Sequence, residues 1–586
     1  MNSRLLLPGL AALLSCTTAA PSAQTAATRA APPAAVYAAP PRATPGVTTS
    51  KAMVVSAHPE ASRIGVEILR RGGNAYDAAV AVQFALAVAL PAAGNIGGGG
   101  FLLYRAADGQ EGALDFRETA PAAATRDMYL DQQGQVITDL STLGHLAAGV
   151  PGTVAGMEAL HKKRGKLPWA TLVQPAVDLA AKGLALTQKE ATGLTSNQAG
   201  FRKYNGSAPL AYLRPAGARP WQQGDVIRYP DLARTLERIR DQGRAGFYEG
   251  PTADFIVAEM QRGRGIITKQ DLQAYQPKWR TPLHGQYRGY DVLTFPPPSS
   301  GGVALLQLLQ MLEPCDLRAA GWHSPAAVHL ITEAQRRVYA DRATFLGDPD
   351  FGRVPTARLL DKGYTRQRMA TTRPHRATAS KDMAAGTGLP GYESDQTTHY
   401  SIVDAQGNAV SCTTTLNGGY GSKVVVAGAG FLLNNEMDDF SAKPGVPNSY
   451  GLVGGVANAI APGKRMLSSM TPAILLQNNQ LKMVVGTPGG STIITSVLQA
   501  ILHVVDYDMP MQQAVAAPRL HHQWLPDQID VEENALLPMT IDSLRQRGYI
   551  LKPRSAWGRI DAIRVLPDGR LESGADPRGD DSAQGY

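Results

Sequence analysis

The chain has 586 residues, of which 44% are apolar and 18% charged, with a formal net charge of +8. Those values fit a soluble enzyme with a large buried core. The small basic surplus is spread along the chain with no Lys/Arg-rich block, which gives no argument for nucleic acid as a partner. Only Cys16, Cys315 and Cys412 are present, which excludes a disulfide framework, and no CxxC or metal-spaced Cys/His cluster occurs.

Residues 1–23 read as a secretory signal, with Arg4 as the positive region and an apolar run over 5–14 too short to span a bilayer. The chain is therefore expected to be exported and periplasmic. Two processing outcomes are open. Leu13-Leu14-Ser15-Cys16 resembles a lipobox that would leave Cys16 lipid-anchored, while ordinary cleavage would fall near Ala20 or Ala23. Residues 24–50, rich in Ala, Pro and Thr, read as a tether.

From Lys51 onward the expected elements mix helices and strands. Residues 75–90 are apolar on nearly every face apart from Asp77 and Gln83, the pattern of a helix buried on all sides. Gly94-Asn95-Ile96-Gly97-Gly98-Gly99-Gly100 follows, then a strand over 101–105. A dinucleotide fingerprint needs strand, glycines, helix in that order, so these glycines are read as a place where backbones approach closely. Pro297-Pro298-Ser299-Ser300-Gly301-Gly302 opens a further helix, and residues 376–396, poor in large apolar side chains, read as a mobile surface segment.

After residue 396 the texture becomes strand-rich. Runs at 398–403 and 409–415 flank Asp404-Ala405-Gln406-Gly407-Asn408 and predict a hairpin. A turn centred between Gln406 and Gly407 sets Thr397 opposite Leu416 and Thr398 opposite Thr415, with a one-residue slip open. If the chain is cut between Gln396 and Thr397, Thr397 gains a free α-amine of pKa about 7.7 to 8 beside its own hydroxyl. One residue would then supply nucleophile and base. A Thr pair across a hairpin is also an ordinary stabilising contact.

Further on, a strand at 482–485, the turn Gly486-Thr487-Pro488-Gly489-Gly490 and a helix from Ser491 form a concave anion site of backbone N–H groups. A Walker loop is excluded, since its Lys and its spacing are missing. Asn434-Asn435-Glu436-Met437-Asp438-Asp439-Phe440-Ser441 could hold an ammonium, bind calcium, or be a solvated loop. Arg117 could clamp a carboxylate or form a surface ion pair. Ser468 and Ser469 offer two hydroxyls, and His521-His522 read as an ordinary loop.

These residues together resemble the γ-glutamyltransferases (γ-glutamyltranspeptidases) of the N-terminal-nucleophile hydrolases. The likeness runs from about Lys51 to Tyr586. It rests on Gly72-Gly73-Asn74-Ala75, Gly94 to Phe101, Asp115 to Pro121, Gly149 to Val154, Pro297 to Gly302, Tyr339-Ala340-Asp341-Arg342, Gln396 to Ser401, Asn434 to Pro444, Ser468-Ser469 and Pro488 to Ser491. The resemblance implies an α+β, four-layer αββα sandwich, cleaved by itself into a large subunit (51–396) and a small catalytic subunit (397–586). It implies Thr397 as nucleophile, Thr415 bonded to it, and Gly489 and Gly490 as oxyanion hole. Arg117, Ser468 and Ser469 would bind the glutamyl α-carboxylate, and Asn417, Glu436 and Asp439 its α-ammonium. Tyr450 would stand at the gate of a lid over 441–455. Glutathione or other γ-glutamyl amides would be donors, with water or amino acids and peptides as acceptors, and neither cofactor nor metal is implied.

Overall fold

The computed structural model of the chain describes residues 44–206, 210–383, 397–443 and 455–586. The signal, Cys16, most of the tether, Gln396 and Tyr450 lie outside the described residues.

Strand alternation decides how the layers stack. In Met53–Ser56, Met53 and Val55 join one core while Val54 joins another. In Thr397–Val403, Tyr400 and Ile402 face the same way as Val54, and Val403 faces the opposite way. A strand buried on both faces must lie inside a stack of layers. The sheet carrying it runs Ser582–Gly585, Met53–Ser56, Thr397–Val403, Ala409–Thr415, Gly99–Arg105, Glu111–Asp115, Lys278–Arg280. A second seven-stranded sheet runs Thr48–Thr49, Leu571–Ala575, Asp561–Val565, Gln480–Gly486, Ala473–Gln477, Tyr290–Thr294, Leu283–Tyr287. Helices Pro59–Arg70 and Ala75–Ala89 cover the outer face of the first sheet, and Gly301–Leu312 and Thr492–Val505 pack with the second. This is the expected αββα sandwich.

Ala75–Ala89 is buried along its whole length, as its composition predicts. Its two interior polar residues are satisfied. Asp77 closes a capping box with Asn74 and accepts from the Lys166 and Leu167 N–H groups, and Gln83 Nε2 reaches the Asn95 carbonyl at 3.1 Å. The glycines after it serve close approach. A Cβ on Gly98 would stand 2.1 Å from the Thr415 carbonyl oxygen, and one on Gly97 2.2 Å from that of Leu432.

Residues 376–383 depart from the mobile segment expected over 376–396. The Thr378 N–H donates to Glu333 Oε1 and the Ser380 N–H to Asp527 Oδ2, at 3.1 and 2.7 Å. Carboxylates presented by other parts of the fold tie this stretch down, and local composition does not report them. Residues 384–396 lie outside the described residues.

Asp561, at the start of strand Asp561–Val565, and Asp581, just before strand Ser582–Gly585, bury their carboxylates, and none of the four oxygens receives a hydrogen bond among the described residues. Burial raises both against the lowering pull of Arg559, Asp581 to about 7, and Asp581 raises Asp561 further, so the pair holds a proton. The folded value lies above the ordinary carboxylate pKa of about 3.9. The stability that the protonated pair contributes is therefore complete below about pH 4 and is lost as pH rises through about 7. Asp581→Asn, which supplies a permanent N–H donor, is expected to flatten the fall in melting temperature across that window. Parallel melting curves for variant and parent at every pH would refute the assignment.

Candidate active site

The hairpin brings the two threonines together, but in a register one residue from the expected one. Thr397 pairs with Thr415 itself and Thr398 with Thr414. The Asp404 side chain accepts from the Gln406 and Asn408 N–H groups and lengthens the turn, which moves its centre. Thr415 Oγ donates to Thr397 Oγ at 3.3 Å and accepts from the Asn417 N–H at 2.8 Å. With that lone pair of Thr397 engaged, the Thr397 hydroxyl proton remains for a base. Beneath the pair, Asn95 Nδ2 donates to Thr414 Oγ and to the Thr415 carbonyl, while its Oδ1 accepts from the Gly98 N–H and Thr153 Oγ. Asn95 fixes the end of the strand that carries Thr414 and Thr415, a role that a residue inside a glycine run does not announce.

The second sheet faces this pair across the sandwich. A Cβ on Gly486 would sit 2.2 Å from the His399 ring, two residues along the strand from Thr397, and Ser411 Oγ donates to the Val485 carbonyl. The turn at 487–491 therefore continues toward the Thr397 end. Gly489 and Gly490 have φ of +133° and +55°, conformations that favour glycine. The helix begins at Thr492, one residue later than expected. The Ser491 side chain donates to Gln523 Oε1 at 2.5 Å and caps no N–H.

His521 stands on the short strand Leu520–His521, where a loop was expected, and contacts Thr495 Oγ and Gln523. These side chains and Tyr339, whose hydroxyl donates to the Ser491 carbonyl, brace the turn. Gly489→Ala would set a methyl 2.5 Å from Thr492 Oγ. It is expected to lower kcat by roughly 10²- to 10³-fold through displaced N–H donors with little change in KM; unchanged kcat in steady-state assays would remove this turn from the chemistry.

Arg117 is fully buried, not at the surface. Asp115 Oδ1 accepts its N–H at 3.0 Å and is itself held by Arg280 and Arg465. The guanidinium pairs with Asp439, and its Nη1 lies 2.5 Å from Glu436 Oε2 and 3.9 Å from Glu118 Oε2. Nε points at the Met466 carbonyl at 3.4 Å, which leads into Ser468 and Ser469. Burial pushes the Glu118, Glu436 and Asp439 carboxyls upward against the lowering pull of Arg117, Glu118 to about 8.

Glu436 Oε2 is at ion-pair distance yet outside hydrogen-bond geometry, and neither Glu436 oxygen has a hydrogen-bond donor in the described residues. A buried acceptor in that state suits an incoming cation with N–H groups. Asp438 accepts from Ser141 Oγ instead. Of the three carboxylates of 436–439, Glu436 and Asp439 thus face Arg117 while Asp438 faces Ser141. The Asn417 side chain donates to the Asn435 carbonyl, and its own φ is +73°.

The structure thus pairs Thr397 with Thr415, faces that end of the hairpin with the Gly489-Gly490 turn, and gathers Glu118, Glu436 and Asp439 around Arg117, whose Nε reaches the chain leading to Ser468 and Ser469. Glu118 and Arg342 are members that reasoning from residue types did not single out. Residues 61–586 match the family model described as gamma-glutamyltranspeptidase.

The chain belongs to the γ-glutamyltranspeptidase family.

A "Glutathione hydrolase proenzyme" of Pseudomonas sp. (strain A14) is 48% identical over 519 residues, covering 89% of this chain and 90% of the relative. A cephalosporin acylase structure from Bacillus halodurans superposes with a TM-score of 0.82 at 27% identity, covering 94% of this chain and 98% of that one. The Helicobacter pylori gamma-glutamyltranspeptidase structure is 45% identical, with a TM-score of 0.55, over 59% of this chain and 97% of that one.

Proposed function

We propose that this γ-glutamyltranspeptidase-family enzyme matures by cutting itself before Thr397 and then moves γ-glutamyl groups from glutathione or related amides to water or an amine. In the first step Thr397 Oγ adds to the Gln396 carbonyl carbon, the C–N bond breaks to leave an ester and the free Thr397 α-amine, and water then hydrolyses the ester, releasing the Gln396 carboxylate and restoring the Thr397 hydroxyl. In turnover that amine takes the Thr397 hydroxyl proton while Oγ adds to the γ-carbonyl of the donor. The Gly489 and Gly490 N–H groups receive the developing oxyanion. The proton passes to the leaving amine, and water or an acceptor amine resolves the γ-glutamyl ester by the same route in reverse.

The observation that carries the choice of acyl group is the buried set around Arg117. One guanidinium and two serine hydroxyls are donors for an α-carboxylate, and Glu436 and Asp439 are acceptors for an α-ammonium. An arriving α-amino acid head group would replace the Arg117–carboxylate pairing by one ion pair for each side. A glutaryl acylase on the same scaffold is the second reading, favoured by the acylase superposition. A glutaryl group has no ammonium, and would leave Glu436 and Asp439 buried without a counter-ion. Turnover of γ-glutamyl and glutaryl p-nitroanilides by purified protein distinguishes the two: the γ-glutamyl substrate is expected to be faster, and faster glutaryl turnover would overturn the proposal.

A further inference from the structure

A serine hydroxyl has one proton and two lone pairs, so the bond that the protein makes to it determines what it can offer a ligand. The Met470 N–H donates to Ser468 Oγ at 3.1 Å, and Arg342 Nη2 donates to Ser469 Oγ at 3.0 Å. Both hydroxyls thus act as acceptors toward the protein, and neither donates to another described residue. Each keeps its proton for a ligand acceptor. Arg342 does more than touch Ser469. It comes from the end of helix Pro325–Phe345, is 5% exposed, and its Nε donates to Ser300 Oγ at 2.9 Å. Ser300 in turn gives its hydroxyl and its N–H to the Ser468 carbonyl, at 2.6 and 2.7 Å. A single guanidinium thereby braces the backbone of one serine and sets the hydroxyl direction of the other.

The geometry points to Arg342 as a positioning residue that makes the Ser468-Ser469 pair select a carboxylate over a carboxamide. Two hydroxyl protons and the Arg117 fork converge on a group with two acceptor oxygens. A carboxamide offers one such oxygen and turns N–H groups toward donors, a mismatch of like against like. A basic side chain one layer behind the serines also favours the anionic ligand, and it lowers neighbouring Asp439 toward its charged form. This inference rests on the γ-glutamyl reading of the pocket.

The test compares γ-glutamyl p-nitroanilide with its α-carboxamide analogue on the parent enzyme, Arg342→Met and Arg342→Gln. Self-cleavage into two chains serves as the check on folding. Arg342→Met is expected to reduce the carboxylate-over-carboxamide ratio of kcat/KM by about ten-fold or more, the weight of one charge-assisted hydrogen bond, with the change in KM. Arg342→Gln, which keeps an N–H donor for Ser469, is expected to retain most of the ratio.

Matured Arg342→Met with the parent ratio overturns the inference, as does Arg342→Gln losing as much as Arg342→Met. Should Arg342→Met fail to mature, a double-mutant cycle of Arg342→Gln with Ser469→Ala decides: coupling in the ratio supports the role, and strict additivity refutes it. A parent enzyme that turns over no γ-glutamyl substrate would sink the functional proposal itself, an outcome distinct from either.

Discussion

Replacing Thr397 by alanine is expected to leave the protein as one uncut polypeptide with turnover reduced by roughly 10⁶-fold, the scale of loss when a hydrolase loses its nucleophile. The fold should survive. Thr397 is a strand-end residue whose hydroxyl meets, among the described residues, Thr415 Oγ at 3.3 Å, and whose backbone pairing is unaffected by truncation. Thr397→Ser keeps the attacking oxygen and should still cleave, yielding two bands on a denaturing gel. N-terminal sequencing of the smaller band should begin at residue 397. An alanine variant that is cut there would show that another group performs the cleavage.

The second large effect belongs to Arg117. Its fork meets Glu436 and Asp439 on one side and the chain leading to Ser468 on the other. Lysine keeps the charge but supplies a single point of donation from a different position. Disrupting one member of a buried charge set costs roughly 3 to 5 kcal/mol, because the remaining carboxylates stay buried without a partner. Arg117→Lys is therefore expected to lower kcat/KM for a γ-glutamyl donor by roughly 10²- to 10³-fold, chiefly through KM, and to lower the melting temperature as well. A KM within a factor of about two of the parent would mean that Arg117 does not hold the donor.

Several features were readable from residue types and spacing because their causes are local. The run at Ala75–Ala89, apolar on nearly every face apart from Asp77 and Gln83, has the pattern of a helix with no solvent face, and it is buried throughout. The Asp404-to-Asn408 turn announces its hairpin, and the glycines at 97 and 98 occur where another backbone leaves no room for a Cβ. The strand–turn–helix around Gly489 and Gly490 was visible for the same reason, since positive φ asks for glycine. The family motifs supplied roles for residues whose type alone left them open, such as Arg117 and Ser469.

The hairpin register was not readable to the residue, because Asp404 accepts two N–H groups and lengthens the turn. Nor was the burial of Arg117. An arginine after a strand has a surface fate by default, and it is the adjacent Glu118 together with Glu436 and Asp439 from one distant segment that make the interior tolerable. The pinning of 376–383 by Glu333 and Asp527 and the bracing of the Gly489 turn by Tyr339, His521 and Gln523 are contacts across long stretches of chain.

What the sequence alone determined here is the set of chemical groups, the periodicities that make layers, and the place where a new N-terminus would be useful. The tertiary structure decided which hydroxyl faces which, whether a charge is buried, and in which direction each serine proton is left to point. Those depend on partners that the chain brings together from far apart, as with Arg342 and Ser469, 127 residues from each other, and no local pattern encodes them.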